Sequence, residues 1–154
     1  MNVLLSVKPK YSEAILSNKK KYEFRKIIFR REDVNRIYIY STSPIRKITG
    51  YFRVKEKLEG SPEEIWDMCH NHAGIAEEEF FSYFMKCLKA FAIKIKDHNR
   101  LDNPVSPEEV FKDFKPPQSF YYIKNDIDVN IERGFQTNRN RFNSERLESC
   151  KLEK

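Results

Sequence analysis

The sequence is poor in cysteine and contains no long hydrophobic run. Its three cysteines, Cys69, Cys87 and Cys150, are odd in number and widely spaced, which fits a reducing cytosol better than a disulfide scaffold. The apolar opening at residues 3–5 is too short for a signal peptide, and no stretch approaches the length of a membrane span. We therefore expect a cytoplasmic protein with no membrane partner.

Motifs of several enzyme classes are also absent. The chain contains no P-loop, no dinucleotide-binding fingerprint and no Ser-His-Asp arrangement. Cys69, His70, His72 and Cys87 invite a zinc assignment, but their spacing lacks the paired ligands of structural zinc sites. A helix end with solvated histidines is the better interpretation. The sequence therefore predicts no metal and no cofactor.

Basic charge is present and is concentrated at one end of the sequence. Residues 1–57 carry 15 Lys or Arg against 5 Asp or Glu, whereas residues 58–97 carry 4 against 8 and residues 98–154 carry 10 against 10. A strongly basic segment favours a polyanionic partner such as nucleic acid. A basic protein without such a partner has the same pattern, so charge alone leaves both interpretations open.

Hydrophobic patterning predicts one α+β domain. The 154 residues suffice for a single domain with a real core. Apolar and polar side chains alternate in six short predicted strands, at residues 2–8, 22–26, 36–40, 47–57, 90–96 and 120–123. Three or four helices are predicted between them, starting near residues 9, 62, 76 (ending near 87) and 107, and residues 97–103 are predicted to turn. Short strands in a curved mixed sheet close naturally into a small barrel.

The pattern changes after residue 124. Residues 125–154 are rich in Asn, Arg, Ser and Glu and hold only scattered apolar side chains. We predict one domain over residues 1–124 and a polar C-terminal tail over residues 125–154, partly helical or disordered. This tail is a candidate surface for a protein partner.

The most informative stretch runs from Asn18 to Arg25 and reads Asn-Lys-Lys-Lys-Tyr-Glu-Phe-Arg. Three consecutive lysines repel one another, so this run is either solvated or faces an anion. Because strand side chains alternate, Glu23 and Arg25 point to one side and Tyr22 and Phe24 to the other. An acid and a base on one strand face can share a ligand, or they can form a surface ion pair with each other.

This stretch resembles the Gly-x-Lys-x-x-Glu-x-Arg signature of the ASCH domain, a branch of the PUA-like fold, with Asn18 in the glycine slot. Asparagine tolerates the left-handed conformation that such a slot favours. Blocks at residues 4–17, 38–50 and 91–120 are similar to the family in the same order, so the resemblance covers residues 2–124. It implies a PUA-like mixed β-barrel of about six strands with helices at its ends.

The resemblance also implies a cleft that binds RNA or a modified nucleotide, in RNA metabolism or transcription-linked regulation. Carried over by motif, the cleft residues are Lys20, Glu23 and Arg25. Lys20 and Arg25 would hold a phosphate or a carbonyl edge, and Glu23 would orient Arg25 or accept a hydrogen bond from a base amine. We add as ligand-binding candidates, on physical grounds, Lys8, Ser41, Thr42 and Ser43. For the three hydroxyl residues, a strand-end turn with local hydrogen bonds is an equal alternative.

Some bacterial members of the family are enzymes, so a small hydrolase, either a ribonuclease or an amidohydrolase on modified nucleosides, is the alternative function. If the protein is an enzyme, Lys20 and Glu23 are the only nearby acid–base pair and hence the catalytic candidates. The amidohydrolase branch resembles this chain at the lysine, but it carries a threonine nucleophile where this chain has Glu23. No match to the distal glutamate of that branch is evident around residues 72–79.

Overall fold

The computed structural model describes residues 1–124 and residue 127. The strands are β1 (Asn2–Val7), β2 (Tyr22–Arg25), β3 (Arg36–Ser41), β4 (Lys47–Gly60), β5 (Ala90–Val105) and β6 (Phe120–Ile123). The α-helices are α1 (Pro9–Leu16), α2 (Pro62–Cys69) and α3 (Glu77–Tyr83), and two short 3-10 helices span His70–His72 and Pro107–Glu109. Within these described residues the six strands form one sheet in the order β2-β5-β4-β3-β1-β6.

The sheet is mixed and curls into a half-barrel. β1 runs parallel to β3, and all other neighbouring strands are antiparallel. The chain that follows the edge strand β2 returns to the opposite edge of the sheet. There the ring of Phe29 lies 5.9 Å from the ring of Phe120 on β6. The backbone N–H of Arg31 also donates a hydrogen bond to the Tyr122 hydroxyl. The predicted α+β fold, a small mixed barrel of six strands with helices at its ends, is confirmed.

The strand β1, which lies next to the edge strand β6, is buried on both faces. Val3 and Leu5 pack in one core cluster, and Leu4 packs with Tyr38 in another. Ile127 joins this second cluster with no exposed surface, and its N–H donates a 3.0 Å hydrogen bond to the Tyr38 hydroxyl. Packing of the core therefore extends three residues beyond the predicted boundary at residue 124. Residues 125–126 and 128–154 of the predicted tail lie outside the described residues.

Two local predictions are wrong. Residues 97–103 continue β5 instead of turning, because Asp97 and Arg100 remain paired with β4. This part of the β4–β5 pair is largely exposed. Burial therefore does not require the alternation of apolar and polar residues by which a strand is recognised in a sequence. β4 and β5 are accordingly long, at 14 and 16 residues. The helix α3 ends at Tyr83, not near Cys87, and Lys86 beyond it takes the left-handed φ of +65°.

One backbone prediction is confirmed. Asn18 has a φ of +64° and ends the turn after α1. A Cβ atom on Gly50 would lie 2.6 Å from the carbonyl oxygen of Asn99 and 2.7 Å from Cδ2 of Leu16, so the sheet and α1 approach each other too closely there for any side chain. The strand register also shifts between Ile48 and Gly50.

The helical segment between β4 and β5 covers β2. It begins with a capping box, in which the Ser61 hydroxyl accepts from the Glu64 N–H and the Glu64 carboxylate accepts from the Ser61 N–H. Its aromatic side chains pack on the strand, with the Phe80 ring 5.0 Å from that of Phe24. We call residues 61–89 the helical insert. Among the described residues, no helix has the length and apolar content needed to cross a membrane.

Candidate functional site

Lys20 lies buried where the loop after α1 meets the helical insert. Only 3% of its surface is exposed, and its Nζ donates a 2.7 Å hydrogen bond to the carbonyl oxygen of Ala73. The ammonium group lies 4.5 Å from the centre of the Phe24 ring and 5.2 Å from that of Tyr11. Burial lowers the pKa of Lys20 to about 8, against the opposing effect of the nearby Glu23 carboxylate.

Glu23 is buried beside two cations. Its Oε1 lies 3.7 Å from Nη1 of Arg25, but its Oε2 has no hydrogen-bond partner among the described residues. Burial raises the pKa of this carboxyl, and the charges of Lys20 and Arg25 act in the opposite direction. A buried acceptor without a donor is costly, so this oxygen is the point at which a ligand would gain most.

Arg25 fixes the other side of Glu23. Its Nη1 donates a 3.0 Å hydrogen bond to the carbonyl oxygen of Ser6, and its Nη2 donates a 3.2 Å bond to the Ser119 hydroxyl. The guanidinium is thus held in one orientation by β1 and by the residue before β6. We call Lys20, Glu23 and Arg25 the cluster. The alternation of β2 predicts that Glu23 and Arg25 share one face, whereas Lys20 reaches the cluster from the loop before the strand.

Sequence reasoning missed three residues beside the cluster. The Tyr11 hydroxyl donates to Oε1 of Glu79, and Nζ of Lys10 donates a 2.8 Å bond to Oε2 of the same carboxylate. The hydrogen bonds from Lys10 and Tyr11 lower the pKa of Glu79, whereas burial and Glu79 raise that of Tyr11. Glu79 also acts electrostatically on Lys20. The run of three glutamates at residues 77–79 was the only sequence signal for this contact.

The remaining candidates lie at the carboxyl ends of the parallel strands β1 and β3. Lys8 is exposed there, and the N–H of Thr42 donates to the carbonyl oxygen of Val7. The Ser41 hydroxyl is buried and donates to Ser12 Oγ at 2.8 Å, with Thr49 Oγ1 equally close. Ser43 is exposed. Within the described part of the chain, no hydrogen bond or ion pair joins these candidates to the cluster, so their binding role stays a prediction.

The cysteines and histidines form no metal site in residues 1–124 and 127, where no group of three or more potential ligands comes together. Cys69 is buried, and burial raises the pKa of its thiol to about 11. Such a thiol is a poor source of the thiolate that zinc requires.

These observations define a class of protein: a PUA-like half-barrel with a buried acid–base cluster at the edge where β2 approaches β1. No protein-family model matches the chain. The sequence is 29% identical over 127 residues to the ASCH domain-containing ribonuclease of Zymomonas mobilis subsp. mobilis. The aligned region covers 79% of this chain and 83% of that protein. It is 26% identical over 125 residues to the large ribosomal subunit protein uL22 of Ureaplasma parvum serovar 3, of which the chain spans only 39%.

Solved structures agree with the sequence relationship. The crystal structure of the ASCH protein from Zymomonas mobilis matches with a TM-score of 0.78 and 27% identity, covering 86% of this chain and 94% of that one. A variant of the same protein with one tyrosine changed to phenylalanine matches with a TM-score of 0.78, 26% identity, and coverage of 86% and 96%. The chain is therefore similar in both sequence and fold to ASCH domain proteins.

Proposed function

We propose that this protein binds RNA and takes one nucleotide into the cluster. The observation that carries the proposal is Oε2 of Glu23, which is buried, belongs to a carboxyl group that feels the charges of Lys20 and Arg25, and lacks a hydrogen-bond donor among the described residues. The exocyclic amine of cytosine or adenine is a donor of the right kind. The relative from Zymomonas mobilis is named a ribonuclease, which supports RNA as the ligand class.

The charge distribution supports the same ligand. The segment that contains the cluster, residues 1–57, carries 15 basic against 5 acidic residues, so a phosphate chain is attracted to this side of the sequence. Lys8 is exposed at the end of β1, close in sequence to the Ser6 carbonyl that holds Arg25. We assign Lys8 to a phosphate next to the bound nucleotide. A role in RNA metabolism or transcription-linked regulation stays a prediction.

Binding is tested by fluorescence anisotropy with a labelled single-stranded RNA. Glu23→Gln retains one acceptor oxygen and is expected to weaken binding modestly, whereas Lys20→Met removes a cation and is expected to weaken it more. Glu108→Gln, at an exposed carboxylate outside the cluster, is the matched control. Equal affinities for all four proteins would show that RNA does not bind at the cluster.

RNA cleavage is the second candidate function, and the two pKa shifts favour it. The pKa of Lys20 falls to about 8 and that of Glu23 rises, so both groups approach the range in which proton transfer is efficient near neutral pH. One of them would remove the proton of a ribose 2′-hydroxyl, whose oxygen then attacks the adjacent phosphorus. The bond to the 5′-oxygen breaks, this oxygen takes a proton from the other group, and a cyclic phosphate remains.

Cleavage is tested with one RNA and the DNA of the same sequence. The RNA should give products ending in a 2′,3′-cyclic phosphate, and the DNA should stay intact because it lacks the attacking hydroxyl. Glu23→Gln and Lys20→Met should each lower turnover by about two to four orders of magnitude. Cleavage that persists at the full rate in both variants would reject the cluster as the catalytic site. Release of acetate from an acetylated cytidine, measured in parallel, tests the amidohydrolase alternative.

A further inference from the structure

A second basic surface lies outside the cluster. It is a groove of about 620 Å³ whose lining includes Lys21, Lys55, Lys94, Lys96 and His72. None of its lining residues is acidic, and none belongs to the cluster. We call it the bulge groove, because two of its lysines lie at β-bulges between β4 and β5.

Two β-bulges produce this groove. In the β4–β5 ladder the pair Arg53–Asp97 is followed by Val54–Ile95, so Lys96 is an extra residue on β5. The pair Val54–Ile95 is then followed by Glu56–Lys94, so Lys55 is an extra residue on β4. A bulge frees one residue from the ladder, increases the local twist and redirects its side chain. Here both redirected residues are lysines, and both line the same groove.

The lysines of this groove lack salt-bridge partners within the described residues, although Lys96 acts electrostatically on the neighbouring Asp97. Over the described residues, none of its four lysines forms an ion pair, whereas Lys10, Lys57 and Lys89 elsewhere on the surface all do. Four ammonium groups around one concavity repel one another, and a bound anion relieves that repulsion. The half-buried side chains of Val54 and Ile95 give the groove an apolar floor, which suits a ligand with both charged and apolar parts.

The bulge groove and the cluster share one short connection. Lys20 belongs to the cluster and Lys21 to the groove. The Lys20 ammonium bonds to the carbonyl of Ala73, and the Lys21 N–H bonds to the carbonyl of His72 at 3.0 Å. The neighbours Lys20 and Lys21 therefore belong to different sites, and each bonds to the same short segment of the helical insert. The two sites are close enough for one extended ligand to reach both.

We propose that the bulge groove binds backbone phosphates of the RNA strand whose nucleotide occupies the cluster. This inference rests on the proposed function and adds the requirement that the ligand be several nucleotides long. A single strand presents phosphates at regular spacing together with exposed bases, which matches four unpaired cations over an apolar floor. An acidic polypeptide is the competing occupant.

The test compares two double variants with equal loss of charge. Lys55→Gln with Lys96→Gln removes both bulge lysines, and Lys86→Gln with Lys112→Gln removes two exposed lysines elsewhere. Affinity for a labelled single-stranded RNA of about a dozen nucleotides, enough to occupy one to three ordinary single-strand sites, is measured over a series of salt concentrations. Affinity for a nucleoside monophosphate, which occupies only the cluster, is measured by calorimetry.

In the bulge-lysine variant, the slope of log affinity against log salt should become shallower by about 1.4, which is roughly 0.7 for each lost phosphate contact on a single strand. The control variant should keep the slope of the unmodified protein, and all three proteins should bind the monophosphate equally. Lys55→Arg with Lys96→Arg should restore the slope, and thermal unfolding should show that every variant is folded.

The outcomes separate the two proposals. If the unmodified protein binds neither RNA nor the monophosphate, the proposed function fails and the groove assignment fails with it. If it binds RNA but the bulge-lysine and control variants have the same slope, only the groove assignment is overturned. Tighter binding of poly-glutamate than of RNA, lost in the bulge-lysine variant, would replace RNA by an acidic protein as the occupant.

Discussion

The guanidinium of Arg25 on β2 donates a 3.0 Å hydrogen bond to the carbonyl oxygen of Ser6 on β1. These two strands are not neighbours in the sheet, where β5, β4 and β3 separate them. The second hydrogen bond, from Arg25 to the Ser119 hydroxyl, reaches the residue before β6. One side chain therefore holds the two edges of the half-barrel together and also completes the environment of Glu23.

We expect Arg25→Met to destabilise the fold. The substitution removes the donors to Ser6 and Ser119 and leaves the buried Glu23 carboxyl without its adjacent guanidinium, which should lower the free energy of unfolding by about 2–4 kcal/mol. Urea denaturation measures the change. Arg30→Met, at an exposed position, is the control and should be within about 0.5 kcal/mol of the unmodified protein. Equal midpoints for the two variants would show that Arg25 does not hold the edges together.

The stability of the protein should rise with pH in alkaline solution because of Lys20. Its pKa is about 8 in the folded state against 10.5 ordinarily, so the unfolded chain binds more protons between these values. The cost of burying the charged amine, of order 3 kcal/mol, is present below about pH 8 and is relieved as the pH rises towards 10.5.

Lys20→Met isolates this effect from other titrating groups. The unfolding free energy of the unmodified protein, minus that of the variant, should increase between about pH 8 and pH 10.5. Lys19→Met, which removes an exposed lysine from the same loop, should show no such trend. A pH-independent difference for Lys20→Met would mean that the Lys20 amine is not desolvated.

If the protein cleaves RNA with neutral Lys20 as the base, the rate should depend on pH in a defined direction. The fraction of neutral amine rises through its pKa of about 8, so the rate should rise over the same interval for as long as Glu23 retains the proton that it gives to the leaving oxygen. Single-turnover rates measured across this interval give the profile. A rate that instead falls as the pH passes through about 8 would assign Lys20 the role of acid.

Gly74 should be intolerant of a side chain. Its φ is +64°, and a Cβ atom there would lie 2.5 Å from Cβ of Lys20 and 2.9 Å from its Cα. Gly74→Ala must therefore displace Lys20, at a cost of about 2–4 kcal/mol from backbone strain and overpacking together. RNA affinity should fall with stability. Gly60→Ala is the control, because the nearest atom to a Cβ there lies 3.3 Å away and φ is not left-handed, so it should lower stability and RNA affinity much less. Thermal unfolding measures the stability of the two variants, and fluorescence anisotropy measures their RNA affinity.

Truncation should reveal the role of Ile127. The polar sequence after residue 124 predicts that a chain ending at Lys124 keeps its melting temperature. The structure gives the opposite expectation, because Ile127 is fully buried and bonded to Tyr38. A chain ending at Lys124 should melt lower than one ending at Asn130, and Ile127→Ala in the full chain should cost about 2–5 kcal/mol. Equal melting of the two truncated chains would show that this packing contributes nothing.

The fold and the centre of the site were predictable because their signals are local. Alternating apolar residues indicate β1 and β3, and the spacing of Lys20, Glu23 and Arg25 places two of them on one strand face. Glu79 and Ala73 were not predictable, since they reach the cluster only through the docking of the helical insert.

The bulges at Lys55 and Lys96 were not predictable for a different reason. A bulge is defined by the pairing of two strands, and neither strand carries a glycine or proline at the bulged position to indicate it. The same lack of a local signal explains the error at residues 97–103, where an exposed strand has the composition of a turn.

The hydrogen bonds around the cluster connect residues that are far apart in the chain. Lys20 bonds to a carbonyl 53 residues later, Tyr11 to a carboxylate 68 residues later, and Arg25 to a hydroxyl 94 residues later. Because synthesis proceeds from the N-terminus, the motif emerges from the ribosome long before its partners. The basic segment at residues 18–25 is therefore exposed on the growing chain, and its groups acquire their folded arrangement only after Ser119 has been translated.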